Sequence, residues 1–199
     1  MGSVHSGAGR DPGEGEDIAV NSANSWQSIS MPYVTPRARG KQEAWAHEAA
    51  QHGSVGTQRL GEVSEVEPPA AVAKALAVPS GEPVVVRRRV ILLDGRPVEL
   101  TNSYYPVSIA RGTRLAERRK IPGGAPSLLT ELGHRTRRVV EDVSARVTTD
   151  DERRLLELDV PSVVLVLFRT SYTEPELPVE VSSMVMLGDG RHLRYELSV

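Results

Sequence analysis

The chain contains two copies of one β-hairpin design, about eighty residues apart, and this duplication restricts the folds that it can adopt. The first copy covers residues 83–105, where two runs of branched apolar residues flank Asp94-Gly95. This dipeptide favours the positive φ angles of a tight hairpin turn. The second copy begins at residue 161, and its Arg169 corresponds to Arg89 of the first. Since each copy follows a short helical segment, we expect both hairpins in a single antiparallel sheet.

The composition is that of an ordinary globular protein, and it argues against several functional classes. A chain of 199 residues with 39% apolar and 25% charged residues can bury one good core. A net charge of -2 implies no general affinity for nucleic acid or anionic membranes. The absence of cysteine excludes disulfides and thiolate chemistry. Because the chain shows neither a membrane-spanning apolar run nor a signal-peptide pattern, we expect a cytoplasmic protein.

Composition also divides the chain along its length. Residues 1–32 are rich in Gly, Ser, Asp, Glu and Asn, and they predict a disordered tail because they offer little apolar area to bury. Residues 33–55 are interpreted as a linker and a helix, and residues 56–199 as the folded domain.

Helices and strands alternate irregularly within that domain. Residues 57–67 predict an edge strand with a bulge, and residues 69–79 a helix that begins near a proline. A second helix is predicted over 125–132, and residues 136–148 predict a long strand with one solvent-exposed face. Thr149 starts an N-terminal capping pattern for a third helix. The resulting class is α+β, an antiparallel sheet with helices on one side.

In this order and spacing, the chain resembles the UTRA (UbiC transcription regulator-associated) domain. The similarity covers residues 33–199 and rests on DGRPVELTNSYYP, the helix around Ser127, the LxVP turn before the second hairpin and the closing PVEVSSMVMLGDGRHLRYEL. The resemblance implies a chorismate lyase-like fold and the effector-binding half of a HutC-branch GntR regulator. It also implies a homodimer, for which Val139, Val143 and Leu197 on an exposed side of the sheet are candidate contacts.

The resemblance also implies a ligand pocket. Arg89 matches a basic residue of sugar-phosphate-responsive members, and Ser127 and Glu180 are kept. Four positions depart from those members: Ile91, Thr101, Leu129 and Met186. Strand alternation independently places candidate residues on shared faces. The candidate ligand-binding residues are Arg89, Ile91, Thr101, Ser103, Tyr105, Ser127, Leu129, Arg169, Glu180, Met184 and Met186.

These residue types predict a ligand with one polar or acidic end and a larger apolar body. The acidic end is expected at Arg89 and at the N-terminus of the helix near Gly123-Gly124. The apolar body is expected among Ile91, Leu129, Met184 and Met186, because Ile91 replaces a second phosphate-binding arginine.

Structural alternatives exist for each of these candidates. Arg89 and Arg169 could pair with Glu180 and Glu99 across the sheet, the two methionines could be core residues, and Ser127 could only cap its helix. The clusters 87–89 and 118–120 could be solvated basic faces. The five histidines show no metal-ligand spacing, so no metal or cofactor site is predicted.

Three functions remain open. The first is a sensor that binds a small-molecule effector and regulates transcription. DNA would then be read only by a winged helix-turn-helix domain, for which this chain shows no pattern, or by a partner. The second is a stand-alone enzyme, a lyase or cyclase acting on a small organic acid or polyketide-like metabolite, in which Arg89 holds a carboxylate and Glu180 is the acid. The third is an interaction protein that forms mixed dimers with full-length regulators.

Overall fold

The computed structural model describes residues 26–37, 43–173 and 176–196. None of the helices within these ranges has the length and apolar character needed to cross a membrane. The strands are β1 Trp26–Ile29, β2 Gly56–Val66, β3 Val84–Leu93, β4 Arg96–Pro106, β5 Arg138–Val147, β6 Val163–Thr173, β7 Leu177–Leu187 and β8 Arg191–Arg194. The helices are α1 Met31–Val34, α2 Ala44–Gln51, α3 Ala70–Leu76, α4 Val107–Ala110, α5 Gly124–Glu131 and α6 Asp150–Leu155, and a 3-10 turn covers Arg114–Ala116.

The predicted duplication is confirmed by the central sheet. This sheet has six antiparallel strands in the order β2-β3-β4-β7-β6-β5. The hairpins β3-β4 and β6-β7 meet at β4 and β7, where Asn102 lies opposite Ser183. Asp94 and Gly95 have φ angles of 49° and 81°, as the tight turn between β3 and β4 requires. The two repeats are therefore related by an approximate two-fold axis near Asn102 and Ser183.

The duplication extends to the ends of two helices. Beyond α3, Ala77 adopts the left-handed conformation, and the N–H of Val78 donates to Ala73 O at 3.0 Å. Beyond α6, Glu157 has a φ of 57°, and the N–H of Leu158 donates to Arg153 O at 2.9 Å. Both helices thus end in the Schellman arrangement, although neither left-handed residue is glycine.

The α+β class is confirmed, but the helices are divided between both faces of the sheet. On one face, here called the back face, α3 contributes Val72 and Leu76 to a core with Val84 and Val86. The opposite or front face carries Val85 and Tyr105, which pack against residues of α4, α5 and the 3-10 turn. Alternation along β3 explains the division, because neighbouring valines point to opposite sides.

The two edge strands of the sheet differ from one another. The predicted bulge of β2 is confirmed by a register shift between Leu60 and Val63. Strand β5 was expected to have one exposed face, and its back face is exposed, with Val140 at 38%. The front face is covered at Glu141, as predicted, but it is exposed at Val143 and Val147, which are 47% and 56% exposed. The prediction of one covered face was therefore wrong from Val143 onward, where nothing within the described residues packs against the strand.

The predicted tail of residues 1–32 also needs correction at its end. Residues 26–29 form β1, which pairs in parallel with β8, and α1 follows at once. This pairing provides hydrogen-bond partners for backbone N–H and C=O groups that a solvated tail would pair with water. It joins residues far apart in the chain, so local composition could not predict it. Residues 1–25 of that predicted tail, and Leu197 of the predicted dimer contact, lie outside the described residues.

Candidate functional site

Two neighbouring cavities lie on the front face of the sheet, below the N-terminus of α5. The outer cavity has a volume of about 590 Å³, and the inner cavity a volume of about 150 Å³. The outer cavity is lined by polar and apolar residues that include Glu43, Thr57, Gln58, Leu60, Lys120, Ile121 and Pro122. The inner cavity is lined by residues that include Tyr33, Ile91, Glu99, Thr101, Arg169, Glu180, Ser182 and Met184. Both cavities are lined by Arg89, which therefore lies at their junction.

The Arg89 guanidinium is incompletely hydrogen-bonded. Its Nη2 donates to Ser103 Oγ at 2.7 Å. Its Nε is buried and has no hydrogen-bond partner. A buried donor on a charged group is costly to leave unsatisfied, and anionic oxygens such as those of a carboxylate make strong charge-assisted hydrogen bonds with a guanidinium. The arrangement therefore favours an acidic ligand group at Arg89.

A chain of hydrogen bonds connects Arg89 with Glu180 across the two-fold axis. Ser103 Oγ lies 2.8 Å from Ser182 Oγ, and Ser182 Oγ donates to Glu180 Oε1 at 3.1 Å. Glu180 Oε1 also accepts from the Tyr105 hydroxyl at 2.7 Å. Burial, together with the Glu180 carboxylate, raises the pKa of Tyr105 well above its usual value. Tyr105 therefore stays protonated and acts as a hydrogen-bond donor at neutral pH.

Arg169, the counterpart of Arg89 in the second repeat, has its own carboxylate partner. Its Nε donates to Glu141 Oε1 at 2.5 Å, and both side chains are 9% exposed. Burial by itself would raise the pKa of Glu141, but the Arg169 charge and hydrogen bond outweigh it and lower the pKa. Glu99 instead pairs with Arg191 at 2.8 Å. The alternative in which Arg89 and Arg169 pair with Glu180 and Glu99 was therefore wrong, because β5 and β8 supply the partners of Arg169 and Glu99, while Arg89 donates to Ser103 and Glu180 accepts from Tyr105.

The remaining predicted site residues fall into two groups. Ile91, Thr101 and Met184 line the inner cavity, and Met186 lines a pocket of about 40 Å³ beside it. Leu129 is fully buried in the core of α4 and α5 and lines neither cavity, because the helix turns it toward Tyr105.

Ser127 does not line either cavity and does not cap its helix, whose N-cap residue is Gly123. Its Oγ accepts from the N–H of Arg37 at 2.9 Å and lies 2.8 Å from Gly123 O. The expectation of free backbone donors at this helix start is wrong for Gly124, whose N–H donates to Ile121 O at 2.9 Å. Gly123, Gly124 and Ala125 nevertheless line both cavities.

Sequence reasoning missed the role of Arg87. Its guanidinium is buried and donates to four backbone carbonyls, those of Arg114, Leu115, Glu117 and Arg119. A solvated basic face was therefore the wrong interpretation for Arg87, although it holds for Arg88, which makes an exposed pair with Glu62. Strand alternation could have signalled the difference, since Arg87 and Arg89 share the front face.

Sequence reasoning also missed the N-terminal segment, defined here as residues 26–37. Pro32, Tyr33, Val34 and Thr35 of this segment line the inner cavity. The Tyr33 hydroxyl donates to Glu48 Oε2 at 2.7 Å, and burial beside Glu48 raises the pKa of Tyr33. The segment thus covers the front face of the second repeat.

Comparison with known proteins agrees with the architecture. The family model of the UTRA domain matches residues 51–190. An uncharacterized HTH-type transcriptional regulator of Streptomyces coelicolor is 32% identical over 140 residues, which is 69% of this chain and 52% of that protein. The chain spans about half the length of the curated relatives that it matches, 52% and 57%.

Solved structures share the fold. PhnF from Mycobacterium smegmatis aligns with a TM-score of 0.71 at 19% identity, over 87% of this chain and 72% of PhnF. A GntR-family transcriptional regulator from Enterococcus faecalis aligns with a TM-score of 0.58 at 17% identity, over 72% of this chain and 99% of that one.

Proposed function

This chain belongs to the UTRA domain family, and on that premise we propose that it is the effector-binding part of a GntR-type transcriptional regulator. The effector occupies the outer and inner cavities, with an acidic group at Arg89. The observation that carries this proposal is the buried and unpartnered Nε of Arg89 at the junction of the two cavities.

The charges around the cavities favour a ligand with one anionic group. Arg169 is neutralised by Glu141, and Arg87 is occupied by backbone carbonyls. Lys120 on the outer cavity pairs with Glu43 at 3.2 Å. Arg89 is therefore the cation best placed to receive a ligand, and its single positive charge balances one carboxylate but only half the charge of a phosphate dianion.

The volumes of the two cavities lead us to place the body of the ligand differently from the sequence-based prediction. Ile91 and Met184 offer apolar walls in the inner cavity, but about 150 Å³ accepts only a small apolar group. The larger part of the ligand occupies the outer cavity of about 590 Å³, whose walls are both polar and apolar. A body enclosed by Ile91, Leu129, Met184 and Met186 together is not supported, because Leu129 lies in the core.

The comparisons also support the wider role. The curated relatives carry the name HTH-type transcriptional regulator and are about twice as long as the matched region, so we place DNA binding in a separate helix-turn-helix domain. Their names favour a sensor over the lyase or cyclase alternative. Two copies of the chain associate, and the protein acts in the cytoplasm.

Ligand screening with two matched variants tests the effector site. Small monocarboxylic acids are screened for an increase in melting temperature, and affinities are then measured by calorimetry. Loss of a charge-assisted hydrogen bond of about 1.5–3 kcal/mol weakens the binding of the best acid about 10-fold to 150-fold in Arg89→Met. Arg88→Met is the control, since Arg88 points away and pairs with Glu62. Equal affinity in Arg89→Met and wild type contradicts the proposal.

A further inference from the structure

Arg89 and Glu180 line the inner cavity with opposite charges that no salt bridge balances. Within the described residues, no carboxylate pairs with Arg89 and no cation pairs with Glu180. By contrast, Arg169 of the same cavity pairs with Glu141. The inner cavity therefore presents both an open cation and an open anion to a ligand.

The Glu180 carboxylate uses one of its two oxygens within the fold. Its Oε1 accepts from the hydroxyls of Tyr105 and Ser182, at 2.7 Å and 3.1 Å. Among the residues that the structure describes, none donates to Oε2. The second carboxylate of the cavity, that of Glu99, has a donor on each oxygen. Since Glu180 is half-buried and lines the cavity, its Oε2 is open to a hydrogen-bond donor of the ligand.

A row of two serine hydroxyls separates the open charges. Arg89 donates to Ser103 at 2.7 Å, and Ser103 Oγ lies 2.8 Å from Ser182 Oγ. Ser182 in turn donates to Glu180 at 3.1 Å. Each hydroxyl has one proton to give, and in this direction both protons are already donated. The serines lie opposite each other in β4 and β7, so the register of the sheet keeps the guanidinium and the carboxylate no further apart than three hydrogen bonds in series.

We propose that the effector is a zwitterion, an α- or β-amino acid whose carboxylate binds Arg89 and whose ammonium group binds Glu180. This inference rests on the proposed effector site and names the class of molecule that the site takes. A simple carboxylic acid balances Arg89 but leaves the Glu180 carboxylate uncompensated in a partly enclosed site, which is costly. A zwitterion balances both charges at once.

The gap between the two charged residues limits the length of the zwitterion. Contacts to Arg89 and to Glu180 use two of the three hydrogen-bond lengths and leave one, roughly 3 Å, between the carboxylate and the ammonium group. One or two carbon atoms between these groups give that separation. The ammonium group then lies in the inner cavity of about 150 Å³, and the side chain of the amino acid extends into the outer cavity of about 590 Å³.

A matched series of ligands tests the ammonium contact in the full-length wild-type protein. Common α-amino acids and β-alanine are screened for an increase in melting temperature. Calorimetry then compares the best amino acid with its desamino acid and its hydroxy acid, in which hydrogen or a hydroxyl replaces the ammonium group. Loss of a charge-assisted hydrogen bond should weaken binding of the desamino acid at least about 10-fold. The hydroxy acid should also bind more weakly than the amino acid, because it keeps a donor but not the charge.

A variant of Glu180 shows whether that preference depends on its charge. Glu180→Gln keeps an acceptor for Tyr105 and Ser182. The amino acid should bind this variant at least about 10-fold more weakly than wild type, whereas the desamino acid should bind as well as before or better. Glu62→Gln is the control for loss of a negative charge, since Glu62 pairs with Arg88 and lines neither cavity. It should leave the ratio of the two affinities unchanged.

The possible results separate this inference from the proposed effector site. Equal affinities for the amino acid and the desamino acid, or a ratio that survives Glu180→Gln, overturn the zwitterion. Binding of monocarboxylic acids through Arg89 without binding of any amino acid also overturns it, and in both cases the effector site stands. If no compound of either class binds in a way that depends on Arg89, both proposals fail.

Discussion

Arg87 and Arg89 are two residues apart on the same face of β3, yet their surroundings give them different roles. Arg87 is saturated by carbonyls of residues 114–119, so it fastens that loop to the sheet. Arg89 keeps an unpartnered Nε and faces both cavities. At the residue scale, the role of each arginine therefore depends on whether its guanidinium retains an unused hydrogen-bond donor and not on its residue type.

Replacing Arg87 by Met should destabilise the fold, because four carbonyls of the loop, that of the buried Leu115 among them, lose their donor. We expect the free energy of unfolding to fall by about 2–4 kcal/mol in urea titrations. Arg87→Lys should recover only part of the loss, since one ammonium cannot reproduce the guanidinium fork. Arg88→Met should change stability by less than about 0.5 kcal/mol, because its pair with Glu62 is exposed. Equal losses in Arg87→Met and Arg88→Met would show that the loop does not depend on Arg87.

At the scale of elements, the repeat unit consists of an edge strand, a helix and a hairpin. The helices α3 and α6 end in the same way although their sequences differ, with Ala77 and Glu157 in the left-handed conformation. In both repeats the chain must reverse after the helix to enter the hairpin, and the Schellman bonds hold that reversal. Each repeat therefore keeps the left-handed conformation at its helix end, although the Cβ of Ala77 or of Glu157 makes that conformation strained.

Ala77→Gly should therefore stabilise the protein. Removing the Cβ relieves the left-handed strain, partly offset by the greater freedom of glycine in the unfolded chain. We expect the free energy of unfolding to rise by about 0.5–1 kcal/mol. Ala75→Gly, inside the same helix, is the matched control and should lower it by about 1 kcal/mol. Equal destabilisation of Ala77→Gly and Ala75→Gly would show that Ala77 is not strained in its left-handed conformation.

At the scale of the whole molecule, the two-fold symmetry of the sheet is broken by what covers its front face. The first repeat is covered by α4, α5 and the 3-10 turn, and the second by the N-terminal segment paired with β8. Glu141 connects this cover to the sheet: Ser30 Oγ donates to its Oε2 at 2.9 Å, and Arg169 binds its Oε1. The N-terminal segment thus depends on a carboxylate whose pKa is lowered.

Acid should weaken this connection. Because the pKa of Glu141 is lower in the folded than in the unfolded protein, its contribution to stability is complete above the unfolded value, about 4.3, and is lost as the pH falls through the folded value. The difference in unfolding free energy between wild type and Glu141→Gln should therefore be largest at neutral pH and shrink in acid. Urea titrations across this range measure it, and hydrogen exchange should report faster opening of residues 26–29. A difference in unfolding free energy between wild type and Glu141→Gln that does not vary with pH would contradict the stabilising role assigned to the ionised Glu141.

Much of the architecture could be predicted from the sequence, because its signals are local. The turn at Asp94-Gly95, the bulge of β2 and the helix that begins near Gly124 all follow from residues close together in the chain. Alternation also grouped Arg89 with Ile91 on the wall of the inner cavity. Contacts that join distant parts of the chain were not predictable, such as Ser127 with Arg37 and β1 with β8.

By itself, the sequence determined that two similar hairpins would share a sheet and that each would bring an arginine to the same face. Only the tertiary structure decided which arginine remains available to a ligand. In the register of the edge strands, Arg89 lies opposite Leu60 of β2, whereas Arg169 lies opposite Glu141 of β5. Cross-strand register brings a carboxylate to one guanidinium and a leucine to the other, and that register is set by the packing of strands far apart in the chain.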